Sequence, residues 1–330
     1  MCCAGSVSVG DDVRLAGALR SEGYPYDGMS RLVRAGELIR VRHGAYAVTP
    51  ADDALIEHRR LIAATLPRCG DVCLSHASAA LMHGLPSWAT DLVRVHATKW
   101  GGGHGRRGRV LHLHATPLDA AETIELNGLT VTSLARTVVD CARTYSYEKA
   151  VAVGDAALGA GLPLKELVDS LEGARYRTGM PQARRVAAFI DGRAESVGES
   201  KSRIVLSQLG VPTPQPQFDI FERNGRRVAR TDFGWEGLRT VGEFDGKVKY
   251  GRLRRPGEES EDAVFREKLR EDRIRDLGWE VVRWTWSDLQ QPEVIADRLR
   301  RAFARGLRRS PELPSRIRSR FSDLPPSIRQ

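Results

Sequence analysis

The side chains with the clearest chemical potential lie in the last third of the 330-residue chain. The stretch Thr240-Val241-Gly242-Glu243-Phe244-Asp245-Gly246 reads as a strand, and its alternation sends Glu243 and Asp245 to one side of a sheet, with Lys247 continuing that side if the strand persists. Asp232 lies in a preceding strand-like stretch, Arg227 to Trp235. Acids on neighbouring strands can converge on a hard divalent cation, which prefers oxygen ligands and retains waters. Lys247 would then orient a water or stabilise charge. Phosphodiester hydrolysis needs this set, because the metal polarises a phosphoryl oxygen and lowers the pKa of the attacking water. The competing expectation is a surface hairpin whose acids are solvated and paired with nearby arginines.

The elements that must position these residues are legible around them. Glu199 to Gly210 reads as a short amphipathic helix after the loosening glycines Gly192 and Gly198, which places a domain boundary near 190. Pro212, Pro214 and Pro216 make an extended connector to a strand from Gln217 to Phe221, and Asn224-Gly225 is a strong hairpin signal before the strand that carries Asp232. A helix rich in both charge signs follows from about Glu261 to Leu277, capped by Gly278, and Trp279 to Trp284 reads as a buried strand. Residues 305–330, rich in arginine, serine and proline, read as a mobile basic tail adding nonspecific phosphate affinity.

Taken together, Gly198-Glu199-Ser200, Arg230-Thr231-Asp232-Phe233-Gly234-Trp235, Gly242-Glu243-Phe244-Asp245-Gly246-Lys247 and Glu267 to Trp284 resemble the very-short-patch-repair-like branch of the PD-(D/E)XK endonucleases. The resemblance implies a restriction-endonuclease-like α/β domain over 191–304, with Asp232 and Glu243 as ligands of Mg2+ (or Mn2+), Asp245 as a further acidic member of the metal cluster and Glu199 as a supporting acid. Members of that branch often carry a histidine a few residues after the Asp-Gly; here Lys247, Val248, Lys249 and Tyr250 occupy the stretch.

At the other end of the chain, Val13, Leu15, Ala16 and Leu19 share one face of a helix expected over Asp11 to Glu22. A second helix is expected over about Tyr26 to Ala35, ending at Gly36. Leu38 to Arg42 and Ala45 to Val48 flank His43-Gly44 as a hairpin. Helix, helix, hairpin is the order of a winged helix-turn-helix over 1–52, which would present Arg31, Arg34, Arg40, Arg42 and His43 to DNA. A mixed α/β central domain follows over 53–190, with a basic glycine-rich loop at Gly101 to Arg107 that lacks the Lys-Ser/Thr of a phosphate-binding loop. His76, His83, His112 and His114 lie in this domain, and with no acid or thiol at a definable spacing they are expected to be structural.

The segments Leu32 to Tyr46, Leu74 to Pro86 and Thr130 to Asp140 resemble AbiEi-type antitoxin proteins. That resemblance implies a winged helix that binds DNA and represses its own operon, with a cognate nucleotidyltransferase toxin as partner. The whole chain is therefore expected to be a multidomain α/β DNA-binding protein carrying a metal-dependent DNA endonuclease domain, in phage defence or a toxin–antitoxin system. The alternative is a repressor or antitoxin with a catalytically inactive nuclease-like fold.

Composition is compatible with this. The net charge of +9 favours a polyanionic partner. No apolar run reaches the roughly 18 residues of a membrane helix, and the amino terminus lacks the basic-then-apolar order of a secretory signal, so a cytoplasmic protein is expected. The five cysteines, Cys2, Cys3, Cys69, Cys73 and Cys141, are an odd number spread too thinly for a disulfide scaffold, and reduced thiols are expected.

Overall fold

The computed structural model describes residues 10–246 and 260–309, with side chains of the second stretch from 265 onward. The protein is a mixed α/β chain with three sheets, and it divides into two compact units, Met1–Gly192 and Arg193–Gln330. No helix among the described residues is long and apolar enough to cross a membrane.

The first unit opens with strand β1 (Val13–Leu15), helices α1 (Ala16–Ser21) and α2 (Tyr26–Ala35), and the hairpin β2 (Ile39–Arg42) and β3 (Ala45–Ala47). Sheet order is β1-β3-β2, antiparallel throughout, with Val13 opposite Ala47 and Ile39 opposite the same residue on its other side. The single helix expected over 11–22 is thus corrected: its first residues are a strand, because the backbone of Ala45–Ala47 offers a ladder that a local helix would leave unpaired. Met29, Ala16, Leu19, Leu38 and Tyr46 form the small core beneath α2. Gly36 closes α2 at φ +78°, where a side chain would be strained.

Helix α3 (Ala54–Thr65) follows, capped by the Asp53 carboxylate, which accepts from the backbone N–H of Leu55 and Ile56 at 2.8 Å each. A six-stranded sheet is built from β4 (Val72–Leu74), β5 (Val95–Lys99), β6 (Arg106–Arg107), β7 (Leu111–His114), β8 (Thr123–Leu126) and β9 (Leu129–Thr132), in the order β6-β7-β5-β4-β9-β8. The end of the expected glycine-rich loop is therefore an edge strand, β6, paired antiparallel to β7. Helix α4 (His76–Met82) follows β4. Helices α5 (Leu134–Thr144), α6 (Tyr147–Gly159), α7 (Leu164–Gly173) and α8 (Met180–Ala187) complete the unit. Arg136 on α5 is fully buried and held by Asp140 at 2.8 Å and Glu122 at 2.7 Å, so its charge is neutralised in place.

The second unit runs α9 (Val197–Gln208), β10 (Gln215–Phe221), β11 (Arg227–Trp235), β12 (Thr240–Asp245), α10 (Ser260–Asp276), β13 (Glu280–Thr285) and α11 (Pro292–Arg309). Strands β10, β11 and β12 form an antiparallel meander, and β13 joins parallel to β12 with α10 on the connection. One sheet face carries Phe233, Trp235, Phe244 and Trp284 against Val205 and Leu206 of α9 and Ile295, Leu299 and Phe303 of α11. The other carries Phe218, Ile220, Ala229 and Val241 against Ile274 of α10 and Trp279. Close approach demands glycine at Gly198, where a Cβ would lie 1.9 Å from Phe244 Cε1, and at Gly242, where it would lie 2.4 Å from Trp284. The expected tail from 305 is also corrected. Residues up to Arg309 continue α11, because Phe303 and Gly306 are buried and Arg305 and Arg309 pair with Glu280.

Candidate functional site

The acids expected to hold a metal lie on the two central strands of the second unit. Asp232 on β11 directs Oδ2 at the backbone N–H of Phe244, accepting from it at 2.7 Å. Glu243 on β12 is buried, and both of its oxygens are taken: Oε1 lies 2.8 Å from Arg270 Nη1 of α10, and Oε2 lies 2.9 Å from Arg283 Nη2 of β13. The same guanidiniums pair with Glu267, so acids and bases alternate across α10 and the sheet. Burial works against the charge of Arg270 and Arg283, but the facing carboxylates of Glu243 and Glu267 outweigh it and hold both more firmly protonated than a free guanidinium.

Glu199, the expected supporting acid, is spent on its own helix start. Its carboxylate accepts from Ser196 Oγ at 2.7 Å, the Glu195 backbone N–H at 2.9 Å and Gln217 Nε2 at 2.7 Å, while Ser196 caps α9 by accepting from the Glu199 N–H. Asp245 ends β12 and is half-buried. Lys247, the expected catalytic lysine, lies outside the described residues.

Carboxylates are the right donors for Mg2+ or Mn2+, but their arrangement is not a metal site. Among the described residues, Asp232, Glu243 and Asp245 do not bring three ligand atoms within 4.8 Å of one another, and Glu243 is saturated by guanidinium. The acids as placed do not fit the ion. Glu243 is thus paired with arginines, as on the competing expectation, but buried with them rather than solvated.

Of the five side chains expected to meet DNA, four reach solvent. Helix α2 turns Met29, Leu32 and Val33 into the core, which leaves Arg31 and Arg34 exposed on its outer side. Arg40 on β2 and His43 at the turn are exposed as well. Arg42 is half-buried and points Nη1 at Thr65 Oγ1, 3.1 Å away at the end of α3, so it ties the hairpin to the rest of the unit.

Among the described residues, the one group of three or more His, Cys, Asp or Glu side chains with ligand atoms within 4.8 Å lies in the first unit: His76, His96 and His114. Sequence reasoning registered His76 and the His112-x-His114 spacing but missed His96, since only the parallel pairing of β5 with β7 reveals that neighbour. Cys73 and Cys141 are buried free thiols, pushed up by that burial to about 12 in the case of Cys73, and are inert.

No family model matches the chain. It is similar to the uncharacterized proteins MT2308 and Rv2248 of two Mycobacterium tuberculosis strains, CDC 1551 / Oshkosh and ATCC 25618 / H37Rv. Each is 30% identical over 275 residues, a match that covers 83% of this chain and 95% of the relative.

Proposed function

The chain belongs to one family with these two mycobacterial proteins, and we propose that it is a DNA-binding protein of the repressor or antitoxin kind, whose second unit is a nuclease-like fold that does not cleave. The observation that carries the reading is the outer side of α2. An amphipathic helix that buries Met29, Leu32 and Val33 and exposes Arg31 and Arg34, followed at once by a hairpin exposing Arg40 and His43, offers a groove-sized element with a basic flank. This arrangement is compatible with the expected winged helix-turn-helix, and a net charge of +9 would supply long-range attraction to DNA. A cognate toxin as a further partner is the extension implied by the resemblance to AbiEi-type antitoxins.

A second reading, a Mg2+- or Mn2+-dependent DNA endonuclease, is favoured by the topology of the second unit. A helix, a three-strand antiparallel meander, a helical crossover and a parallel fourth strand follow in the order implied by the resemblance to PD-(D/E)XK enzymes, with Asp232, Glu243 and Asp245 on adjacent strands. The saturation of Glu243 by Arg270 and Arg283 weighs against it.

One experiment separates the two. Purified protein is incubated with supercoiled, linear and single-stranded DNA in Mg2+ or Mn2+, while binding is followed on the same substrates. Binding without cleavage under every ion supports the first reading. Cleavage that disappears in both Asp232→Ala and Glu243→Ala establishes the second, and an absence of DNA binding removes both.

A further inference from the structure

Three imidazoles from separate stretches of chain meet in the first unit. His76 opens α4, His96 lies on β5 and His114 on β7, and one ring nitrogen from each falls within 4.8 Å of the other two. The parallel register aligns His96 with His112 and Thr98 with His114. Alternation along β7 therefore brings His112 to the same side, its ring centroid 4.0 Å from that of His114 and 5.0 Å from that of His96.

The polar contacts orient this group. His76 Nδ1 lies 3.0 Å from Ser75 Oγ, which accepts a hydrogen bond from Thr98 Oγ1 at 2.9 Å. An anchored Nδ1 leaves Nε2 of His76 as the free nitrogen, and metal-bound histidines are usually fixed in this way through the nitrogen that does not bind. His96 Nδ1 and His114 Nε2 share a hydrogen bond at 3.1 Å, which a shared ion would replace. Two nitrogens on one tetrahedral zinc ion, each 2.0–2.1 Å from it, stand about 3.3 Å apart, so this pair is already near coordinating separation.

Plain packing of buried histidines accounts for less of the geometry. His76 is 2% exposed and holds φ at +51°, a left-handed backbone that costs a residue with a Cβ energy and recurs where a ligand clamp requires it. Its ring stacks on His114 at 3.6 Å between centroids and 10° between planes. Parallel rings cannot both aim an in-plane lone pair at one ion, so loading swings one of them out of the stack.

We propose that His76, His96 and His114 form a binding site for a late divalent transition metal of the zinc class, with the fourth position taken by water or by His112. Imidazole donors without carboxylates select this class over Mg2+ or Ca2+. The ion would pin the start of α4 to the paired strands β5 and β7. The proposal is independent of DNA binding and of nuclease activity.

The test uses the full chain without a polyhistidine tag, stripped with a chelator and then titrated with Co2+ and Zn2+. The expected result is one equivalent bound per chain, the visible absorption of low-coordinate Co2+, its displacement by Zn2+, and a melting temperature that rises with free Zn2+. His96→Gln and His114→Gln, checked for folding by circular dichroism, should each weaken Zn2+ binding by more than the roughly 10- to 100-fold expected on removing a residue that merely supports a ligand. His104→Gln, at an exposed histidine outside the group, should bind as wild type. Wild-type binding no tighter than that of His96→Gln overturns the proposal. If a variant fails to fold, ring-nitrogen NMR of the wild type decides instead. Zn2+ must shift the resonances of at least three histidines, and fewer than three overturns the site.

Discussion

Glu243 and Arg283 face each other across the parallel pair β12–β13, with Oε2 and Nη2 2.9 Å apart. Three acids crowded on one ion site would repel, and removing one would then stabilise the unloaded fold. Ion pairing reverses that sign. Glu243→Ala leaves Arg270 and Arg283 facing each other without their shared carboxylate. Breaking a buried pair typically costs about 3–5 kcal/mol, but these guanidiniums are 29% and 32% exposed, so solvent screening reduces the expected loss to about 1–2 kcal/mol. Urea unfolding of the variant should show a lower midpoint at unchanged slope. A raised midpoint would mean that repulsion dominates after all.

Arg31, Arg34 and Arg40 should act on binding, and Arg42 on stability. Every phosphate that a missing arginine no longer neutralises lowers the slope of log K against log salt by about 0.9, so the triple variant of the first three to alanine should bind DNA more weakly, with a slope shallower by about 2–3 units. Arg42→Ala removes the hydrogen bond to Thr65 and should lower the melting temperature while leaving the salt slope unchanged. Binding titrations at several salt concentrations check both; equal slopes in the triple variant and wild type would contradict the α2 interface.

His58 is one of several buried histidines of the first unit, with His76, His96 and His114, whose lowered pKa makes acid destabilising. Burial lowers its pKa from 6.5 to about 4, and its hydrogen bonds suit the neutral ring, with Nδ1 2.6 Å from the Leu92 carbonyl and Nε2 2.8 Å from Ser78 Oγ. Because the folded value lies below the unfolded one, the unfolded chain binds the extra proton. The contribution is intact above about pH 6.5, falls as pH drops, and is fully lost below about 4, a total of about 3 kcal/mol. His58→Gln, which does not titrate, should make the stability profile between pH 6.5 and 4 shallower by its own share, while His76, His96 and His114 keep theirs. A profile as steep as wild type would assign the acid limit to other groups.

Gly198→Ala should destabilise the second unit. The new Cβ would lie 1.9 Å from Phe244 Cε1 and force α9 away from β12, at a cost of about 1–3 kcal/mol. Phe244→Leu in the same background should recover part of the loss by opening room at the ring edge. Thermal unfolding of the two variants measures this, and additive losses would show that the clash lies elsewhere.

The sequence carried the elements of the second unit well, because β11 and β12 alternate cleanly, Asn224-Gly225 marks the hairpin of β10 and β11, and Gly278 stops α10. Local signals also marked α2 and the β2–β3 hairpin. They failed at Val13–Leu15, whose apolar spacing suits a helix as well as a strand and whose state is set by pairing with Ala45–Ala47. They did not reveal the partners of Glu243, because its two arginines arrive by way of α10 and β13. Pattern places a side chain on a face of its own element, whereas charge pairing depends on what a crossover brings opposite. The same limit hid His96 and His76 beside His114, since no spacing along the chain relates three residues that meet only through the β4–β5–β7 arrangement.

The parallel pairing of Leu74 with Val131 has a consequence for how the protein is made. Strand β4 is central in its sheet, yet its partner β9 is translated last among the strands it touches. At about 5–20 residues per second, the intervening stretch takes roughly 3–12 s to emerge from a ribosome. For that interval the backbone N–H and C=O groups on one edge of β4 lack their β9 partner. Pairing with β5 comes sooner, so the nascent chain holds a half-built sheet with an adhesive border while α2 and its hairpin are already complete. Such a chain is a natural client for a ribosome-associated chaperone, and its risk of self-association peaks before β9 is synthesised rather than after release.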